Sequence, residues 1–345
     1  MRRTAALPAL IALLLALPAE GAPGPAAKVK NTNGWIESLA MDGPRAAYAV
    51  QGVATCTKLF VWNVRTRGAA LVSGKATCAA DSTSTGGGVT QIAVAGTRVA
   101  WLVNEGGNTE SDDYLYTATL PKPKEKLLAS AVRTGDIDGI LAGGWIGGLV
   151  GSGDRIVVNR WTTDEQGAVT NGSLQRVGGA LTSIASGTAT LHAESLDLRR
   201  VAVLRSDGKV ALHDVDTGDA LLTVMPSPVR EFALRKDYLV VLTKTKTLEI
   251  FNARSGAAVR TWPVAAGATR IDVHSGIVVY AVGPRVHVLR LADGKDAVLA
   301  TAPRAIEGLE IEAPGIVYAY NTVKGIKDVG NLAFVPLAQA TSLLG

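Results

Sequence analysis

Glu37, Glu194, Glu307 and Arg230 are suited by type to acid–base chemistry or to holding a small polar ligand. They fall at equivalent points of widely separated, strand-like segments, in a series that runs Glu37, Thr90, Gly147, Glu194, Arg230, Thr269 and Glu307. Brought to one axis, that series would ring one mouth of a channel, either as a binding site or as a hydrated rim. Two cysteines, Cys56 and Cys78, suggest a single disulfide if the chain is exported. Closing a loop of about 20 residues would contribute roughly 3 kcal/mol. Neither cysteine has the nearby His or Cys-x-x-Cys partner of a reactive thiol. His192, His213, His274 and His287 sit at different registers and form no metal set, so neither metal nor cofactor is expected. Asp136-Ile137-Asp138-Gly139 carries the alternating carboxylates of a calcium loop, but nothing downstream completes one, and Asp-Gly is ordinary turn chemistry. With no Gly-x-Ser-x-Gly elbow and no glycine-rich run introducing a helix, the enzyme reading lacks a nucleophile.

These residues are set in an internal repeat. Val201-Ala202-Val203-Leu204 returns as Leu239 to Leu242, Val278 to Ala281 and Ile316 to Ala319, at offsets of 38, 39 and 38. The glycines Gly218, Gly256 and Gly294, each closing a strand-and-turn pattern, are likewise 38 apart. A period near 40 made of short β-type runs suits a four-stranded propeller blade. Upstream, Ala46 to Val50, Val99 to Val103 and Ile156 to Arg160 repeat the second-strand pattern, which makes seven copies. The expected fold is therefore all-β, a seven-bladed β-propeller of four-stranded antiparallel blades. Alternating inner strands precede each copy, and no stretch after the N-terminus shows a helical period. The phase puts the last outer strand at Thr341 to Leu344, so the termini would not complete one blade together unless Lys28-Val29-Lys30 adds a strand.

The first 22 residues have a basic start at Arg2 and Arg3, an apolar run broken by Pro8 and Pro18, and a small-residue exit, as in a secretory signal peptide. Residues 23–34 read as a flexible leader and 35–345 as one propeller domain. No other segment is apolar enough to span a bilayer, so a secreted or periplasmic, extracytoplasmic protein without stable membrane insertion is expected. The hydrophobic content of 47% is ample for a core, and the formal charge of +5 is spread among acidic residues rather than clustered, which argues against nucleic acid.

Lys209 to Gly218, Leu59 to Thr66 and Ile36 to Gly43 resemble degenerate WD40-type repeats, and are similar to those of bacterial quinoprotein-like and TolB-like propellers. The Gly-His pair is missing and Trp-Asp survives only as Trp62-Asn63 or His213-Asp214, so the usual WD40 hydrogen-bond tetrad does not carry over. The resemblance implies a scaffold that binds.

Second-strand starts at 46, 99, 156, 201, 239, 278 and 316 leave intervals of 53, 57 and 45 before the later 38 or 39. The excess falls in connections that share one face: 51–56, 104–112, 161–171 and 321–330, with 74–88 and 131–144. Long loops over blades seven, one, two and three form a candidate contact arc, or neutral surface variation. Within it Trp161, following a strand directly, is expected to be exposed, and Trp145 to pack at a strand start. Glu105, Glu110, Asp112, Asp113, Asp164 and Glu165 make the arc acidic, as a lure for a cation or basic partner or simply as solvated loop carboxylates. The sequence thus points to a noncatalytic binding or scaffolding module for a protein, small polar ligand or glycan. A hydrolase or lyase at the channel mouth and a structural cell-envelope protein are the alternatives.

Overall fold

The computed structural model describes residues 28–51, 57–73, 86–107, 109–136, 139–187 and 191–345, without the side chains of residues 28, 29, 191, 192 and 194. The expected signal peptide, the two cysteines and the middle of the Asp136 motif therefore lie outside the described residues. Chain order begins with β1 (Lys28–Asn33), then β2 (Trp35–Asp42), β3 (Arg45–Gln51), β4 (Thr57–Asn63) and β5 (Ala69–Ser73). Next come β6 (Gly86–Ala95), β7 (Arg98–Gly106), β8 (Glu110–Thr119), β9 (Lys126–Thr134), β10 (Ala142–Ser152), β11 (Arg155–Thr163), β12 (Val169–Val177) and β13 (Leu181–Gly187). Twelve shorter strands follow in three groups. They are β14 (Leu191–Asp197), β15 (Arg200–Arg205), β16 (Val210–Asp214) and β17 (Ala220–Val224); β18 (Val229–Arg235), β19 (Tyr238–Thr243), β20 (Thr247–Asn252) and β21 (Ala258–Pro263); and β22 (Ala268–His274), β23 (Ile277–Val282), β24 (Arg285–Arg290) and β25 (Asp296–Thr301). The chain ends with β26 (Ile306–Glu312), β27 (Gly315–Lys324), β28 (Lys327–Pro336) and α1 (Leu337–Leu344).

All ladders are antiparallel meanders. β2–β5, β14–β17, β18–β21 and β22–β25 each form a four-stranded sheet, β6–β13 form one continuous eight-stranded sheet, and β26–β28 take β1 as their fourth strand. The first strands β2, β6, β10, β14, β18, β22 and β26 touch in that order, and β26 touches β2. Second strands are apolar at consecutive positions because both of their faces are covered. In β3, Ala47 and Ala49 pack towards β6–β8, while Ala46, Tyr48 and Val50 pack towards β27 and β28. The same division recurs from sheet to sheet, so apolar layers alternate with sheets around the axis.

Each first strand carries a β-bulge, farther from the hairpin turn in β2, β6, β18 and β26 than in β10, β14 and β22. Register slips occur between Ile36 and Ser38, Val89 and Gln91, Gly147 and Val150, Ala193 and Ser195, Val229 and Glu231, Thr269 and Asp272, and Ile306 and Gly308. The extra residue leaves the ladder and re-aims its neighbours. In four of them the residue after the bulge reaches the next first strand: Gln91 accepts the Leu149 N–H at 2.8 Å, Ser195 that of Leu234 at 2.9 Å, Glu231 that of Ile271 at 3.0 Å, and Asp272 that of Ile311 at 2.8 Å. Towards the axis the first strands present unpaired edges, and these bonds satisfy N–H groups that no strand pairs.

Both termini differ from expectation. Lys28–Asn33, assigned to the leader, pairs with β28 from Lys28↔Phe334 to Asn33↔Val329. Residues 337–344 are a helix rather than a strand, since Leu337, Ala340 and Leu344 recur at helical spacing and Ala340 and Leu344 pack beneath β23–β28. β1 covers the β28 edge, and Asn321 holds the adjoining seam by accepting from Ile36 N at 2.8 Å and donating to Ile36 O at 3.0 Å. A chain starting at Lys28 is expected to keep the urea midpoint of the full chain, whereas one starting at Trp35 unfolds at distinctly lower urea.

Candidate functional site

Of the connections expected as long loops, 104–112, 131–144, 161–171 and 321–330 are mostly zipped strands, and most of 51–56 and 74–88 lies outside the described residues. The β7–β8 ladder runs to Gly106↔Ser111, β11–β12 to Thr163↔Val169 and β27–β28 to Lys324↔Lys327. The equivalent ladders elsewhere stop at Leu204↔Val210, Leu242↔Leu248 and Val282↔Arg285. The additional four or five residues lift each hairpin by about 13–17 Å. The strand pattern persists because alternation persists: Ser111, Asp113 and Leu115 point inward along β8, with their neighbours outward. β9 and β10 rise as well and pair at Thr134↔Ala142 and Arg133↔Gly143, which joins β6–β9 to β10–β13 in one wall. Gly143 permits that junction, since at its φ of 130° a Cβ would lie 2.5 Å from Val132 O.

A buried polar knot holds the wall. Arg133 reaches Asp113 at 2.6 Å, with side chains only 7% and 9% exposed, and also donates to Ser111 Oγ at 2.7 Å. Asp113 accepts further from Asn104 Nδ2 at 2.8 Å and from the Ile146 N–H at 3.0 Å, so it ties β7, β8, β9 and β10 together. The Arg133 guanidinium lies 3.8 Å from the Trp145 ring centroid, and Trp145 stacks on Trp161 at 5.8 Å with 4° between planes. Trp145 Nε1 donates to Thr163 Oγ1 at 3.0 Å. Trp161 is half-buried, because its ring leans over Gly147 on β10.

Other expected site residues are dispersed. Glu105 and Asp112 face one another across β7–β8, and Glu105 is raised by partial burial and then by the Asp112 charge. Glu110 and Glu165 are exposed. Asp164 is occupied by its own turn, accepting from the N–H groups of Gln166 and Ala168. A possible Cys56–Cys78 bridge and the Glu194 side chain lie outside the described residues.

The first strands enclose a channel of about 500 Å³, lined by residues from all seven, Glu37, Thr90 and Glu307 among them. Glu37, Thr90, Arg230 and Glu307 are bulge residues, which explains their outward set at the mouth; Arg230 is exposed and does not line the cavity. Glu37 accepts from Thr57 Oγ1 at 3.2 Å, and burial raises its carboxyl. Deeper down lies a cluster that sequence reading passed over: Asp272, Glu310 and Glu312 with Arg235. Burial pushes Asp272 up to about 6, against the lowering by its two backbone donors and Arg235. Glu310, hydrogen-bonded to Asp272, is raised by burial and then by the charges of Asp272 and Glu312. Glu312 pairs with Arg235, yet burial still lifts it to about 7. His274 Nδ1 lies 3.9 Å from Glu312, and burial followed by Arg235 depresses it to about 4. The polar character of Gln91 and Glu231 at one position, and of Ser195 and Asp272 two positions nearer the turn, in otherwise apolar strands was the available signal. Among the described residues, no three His, Cys, Asp or Glu side chains are grouped to hold a metal ion.

No known protein family and no curated protein matches the sequence. Among solved structures, the chain is similar to the WD40 β-propeller domain of Doa1, with a TM-score of 0.55 and 10% identity, over 91% of this chain and 98% of that one. The fold is a WD40-like β-propeller. At that identity the likeness concerns architecture, in which each four-stranded meander is a blade and the first strands line the axis of the propeller.

Arg133→Met would leave Asp113 buried without its counter-ion and is expected to cost about 3–5 kcal/mol, read as a lowered urea midpoint. Adding Asp113→Asn, which keeps an acceptor for Ile146, should restore part of that loss. The channel carboxyls titrate near their ordinary values, 3.8 for Asp272 and 4.5 for Glu312, when unfolded, and higher when folded. Their contribution to stability is thus present at low pH and lost as pH rises through about 6 for Asp272 and about 7 for Glu312. His274 acts in the opposite sense below 6.5, so the clean window lies above that value. There the urea midpoint should fall with rising pH, and Glu310→Gln should flatten the fall.

Proposed function

We propose that the chain is a seven-bladed propeller acting outside the cytoplasm as a noncatalytic binding or scaffolding module. β2–β5 form blade one, β6–β9 and β10–β13 blades two and three, the next three sheets blades four to six, and β26–β28 with β1 blade seven. The contact face is the raised sector over blades seven, one, two and three. One observation carries this reading: strands of nine or ten residues build the hairpins of blades two, three and seven, against five or six residues in blades four to six. A rigid scaffold with elaboration confined to one sector of one face is how binding surfaces are commonly presented. The Arg133–Asp113 knot supports it, because a pre-ordered wall loses little entropy on association. Export rests on the N-terminal sequence pattern, and kinship with quinoprotein-like and TolB-like propellers rests on strand motifs alone.

A hydrolase or lyase at the channel mouth is favoured by one feature, the carboxyl cluster whose raised Glu312 could carry a proton near neutral pH. A structural envelope protein would depend on neither region. The mature chain used as bait on an extracytoplasmic fraction is expected to retain a partner. Charge reversal at exposed or half-exposed Glu105, Glu110 and Asp112, and shortening of β11–β12 to a two-residue turn, should each weaken capture. Loss of a turnover on replacing Glu37, Glu307 or Glu310, with capture intact, would favour the enzyme reading instead.

A further inference from the structure

The tip of the blade-seven hairpin breaks two local rules of hairpin stability. Ile326 occupies the apex at 99% exposure, where a β-branched apolar side chain contributes nothing to the fold. Lys324 and Lys327 face each other directly in the last pair of the ladder, an arrangement that repels. Gly325, with φ 65° and open space around it, makes the tight turn that sets Ile326 at the summit. β1 leaves the sheet at Asn33↔Val329, so the segment beyond is a free two-stranded finger. At its base Trp35, 43% exposed, follows Gly34, which is hydrogen-bonded to Asp328 and Gly330. Val323, 61% exposed, pairs with Asp328 on the face opposite the lysines.

We infer that this finger is a peripheral docking element for an anionic lipid bilayer. The apex is convex and a single side chain wide, which fits insertion between lipid headgroups, whereas a protein partner would have to supply a matching pocket. The lysine pair supplies the complementary charge: anionic headgroups relieve the repulsion that the hairpin alone must bear. Aliphatic apex, cationic collar and a neighbouring tryptophan are the composition of an interfacial anchor, and the contact requires no spanning segment. Among the described residues no helix is long and apolar enough to cross a membrane, so the finger would act by shallow insertion alone. The finger is the blade-seven part of the raised sector, whereas partner capture is tested at blades two and three, so either can fail without the other.

The test is cosedimentation of the mature chain with phosphatidylcholine vesicles, with and without phosphatidylglycerol. Binding is expected only when phosphatidylglycerol is present. Lys324→Glu with Lys327→Glu should lower partition by at least about twentyfold, at about fivefold for each charge removed. Ile326→Ser with Val323→Ser should lower it about tenfold. Met225→Ser, which removes an exposed apolar side chain from the blade four to five link, should change nothing. All these positions are exposed, so unaltered thermal unfolding will show that the fold is intact. Absence of binding, equal binding to phosphatidylcholine alone, or full binding by the tip variants would overturn the proposal. Retention on native membranes but not on protein-free vesicles would assign the finger to a membrane protein and overturn it equally.

Discussion

The inward edges of the first strands govern this molecule. Along the axis each first strand is paired on one side only, β10 meeting β9 at Ala142 and Gly143 alone, and the other side presents N–H groups to the axis, where an unsatisfied group costs about 1–3 kcal/mol. In four blades the chain meets that cost with a bulge that re-aims a polar side chain, Gln91, Ser195, Glu231 or Asp272, onto the next blade's backbone. Asp42 does the same from the other end, accepting from Gly96 at 2.7 Å and Gly153 at 2.9 Å. Acceptors are needed at the axis, so carboxylates accumulate there. The channel's chemistry thus begins as a structural requirement, and the raised Asp272 is one result of packing acceptors in a confined space.

The raised sector follows from a different constraint. A hairpin carried four residues beyond its blade has only one covered face, and like-charge pairs such as Glu105 and Asp112 oppose it. The protein compensates by fusing two blades above the propeller body. The Arg133–Asp113 pair lies between the tryptophan stack and the β7–β8 backbone, and each of its polar groups that reaches a partner removes freedom from a neighbouring strand. Such a pair, once dehydrated, favours one arrangement over others more than it adds net stability. The β27–β28 finger has no comparable knot beyond Asn331, whose Nδ2 donates to Thr322 Oγ1 at 3.0 Å and to the Tyr320 and Val329 carbonyls.

Much of the architecture was legible from periodicity. Second strands covered on both faces must be continuously apolar, so Val201 to Leu204 and its copies announced themselves at a near-constant interval. The bulge series Glu37, Thr90, Arg230 and Glu307 was also visible, because outward-set residues can be polar at every turn of the repeat. Spacing pointed to additional chain after β7, β11 and β27, where lengthened strands stand in place of the expected loops. Strand residues such as Asn104, Gly106 and Ser111 have poor β-propensity, and only cross-strand and cross-blade partners make them strands.

The sequence by itself determined the repeat, the strand order within each blade and the sector that carries additional chain, since all three depend on local periodicity. Tertiary structure alone decided that β1 completes the last blade, that Asp113 is a buried keystone rather than a surface charge, and that Asp272, Glu310 and Glu312 converge. Those outcomes depend on which residues meet across tens or hundreds of positions, and a local pattern carries no record of such meetings.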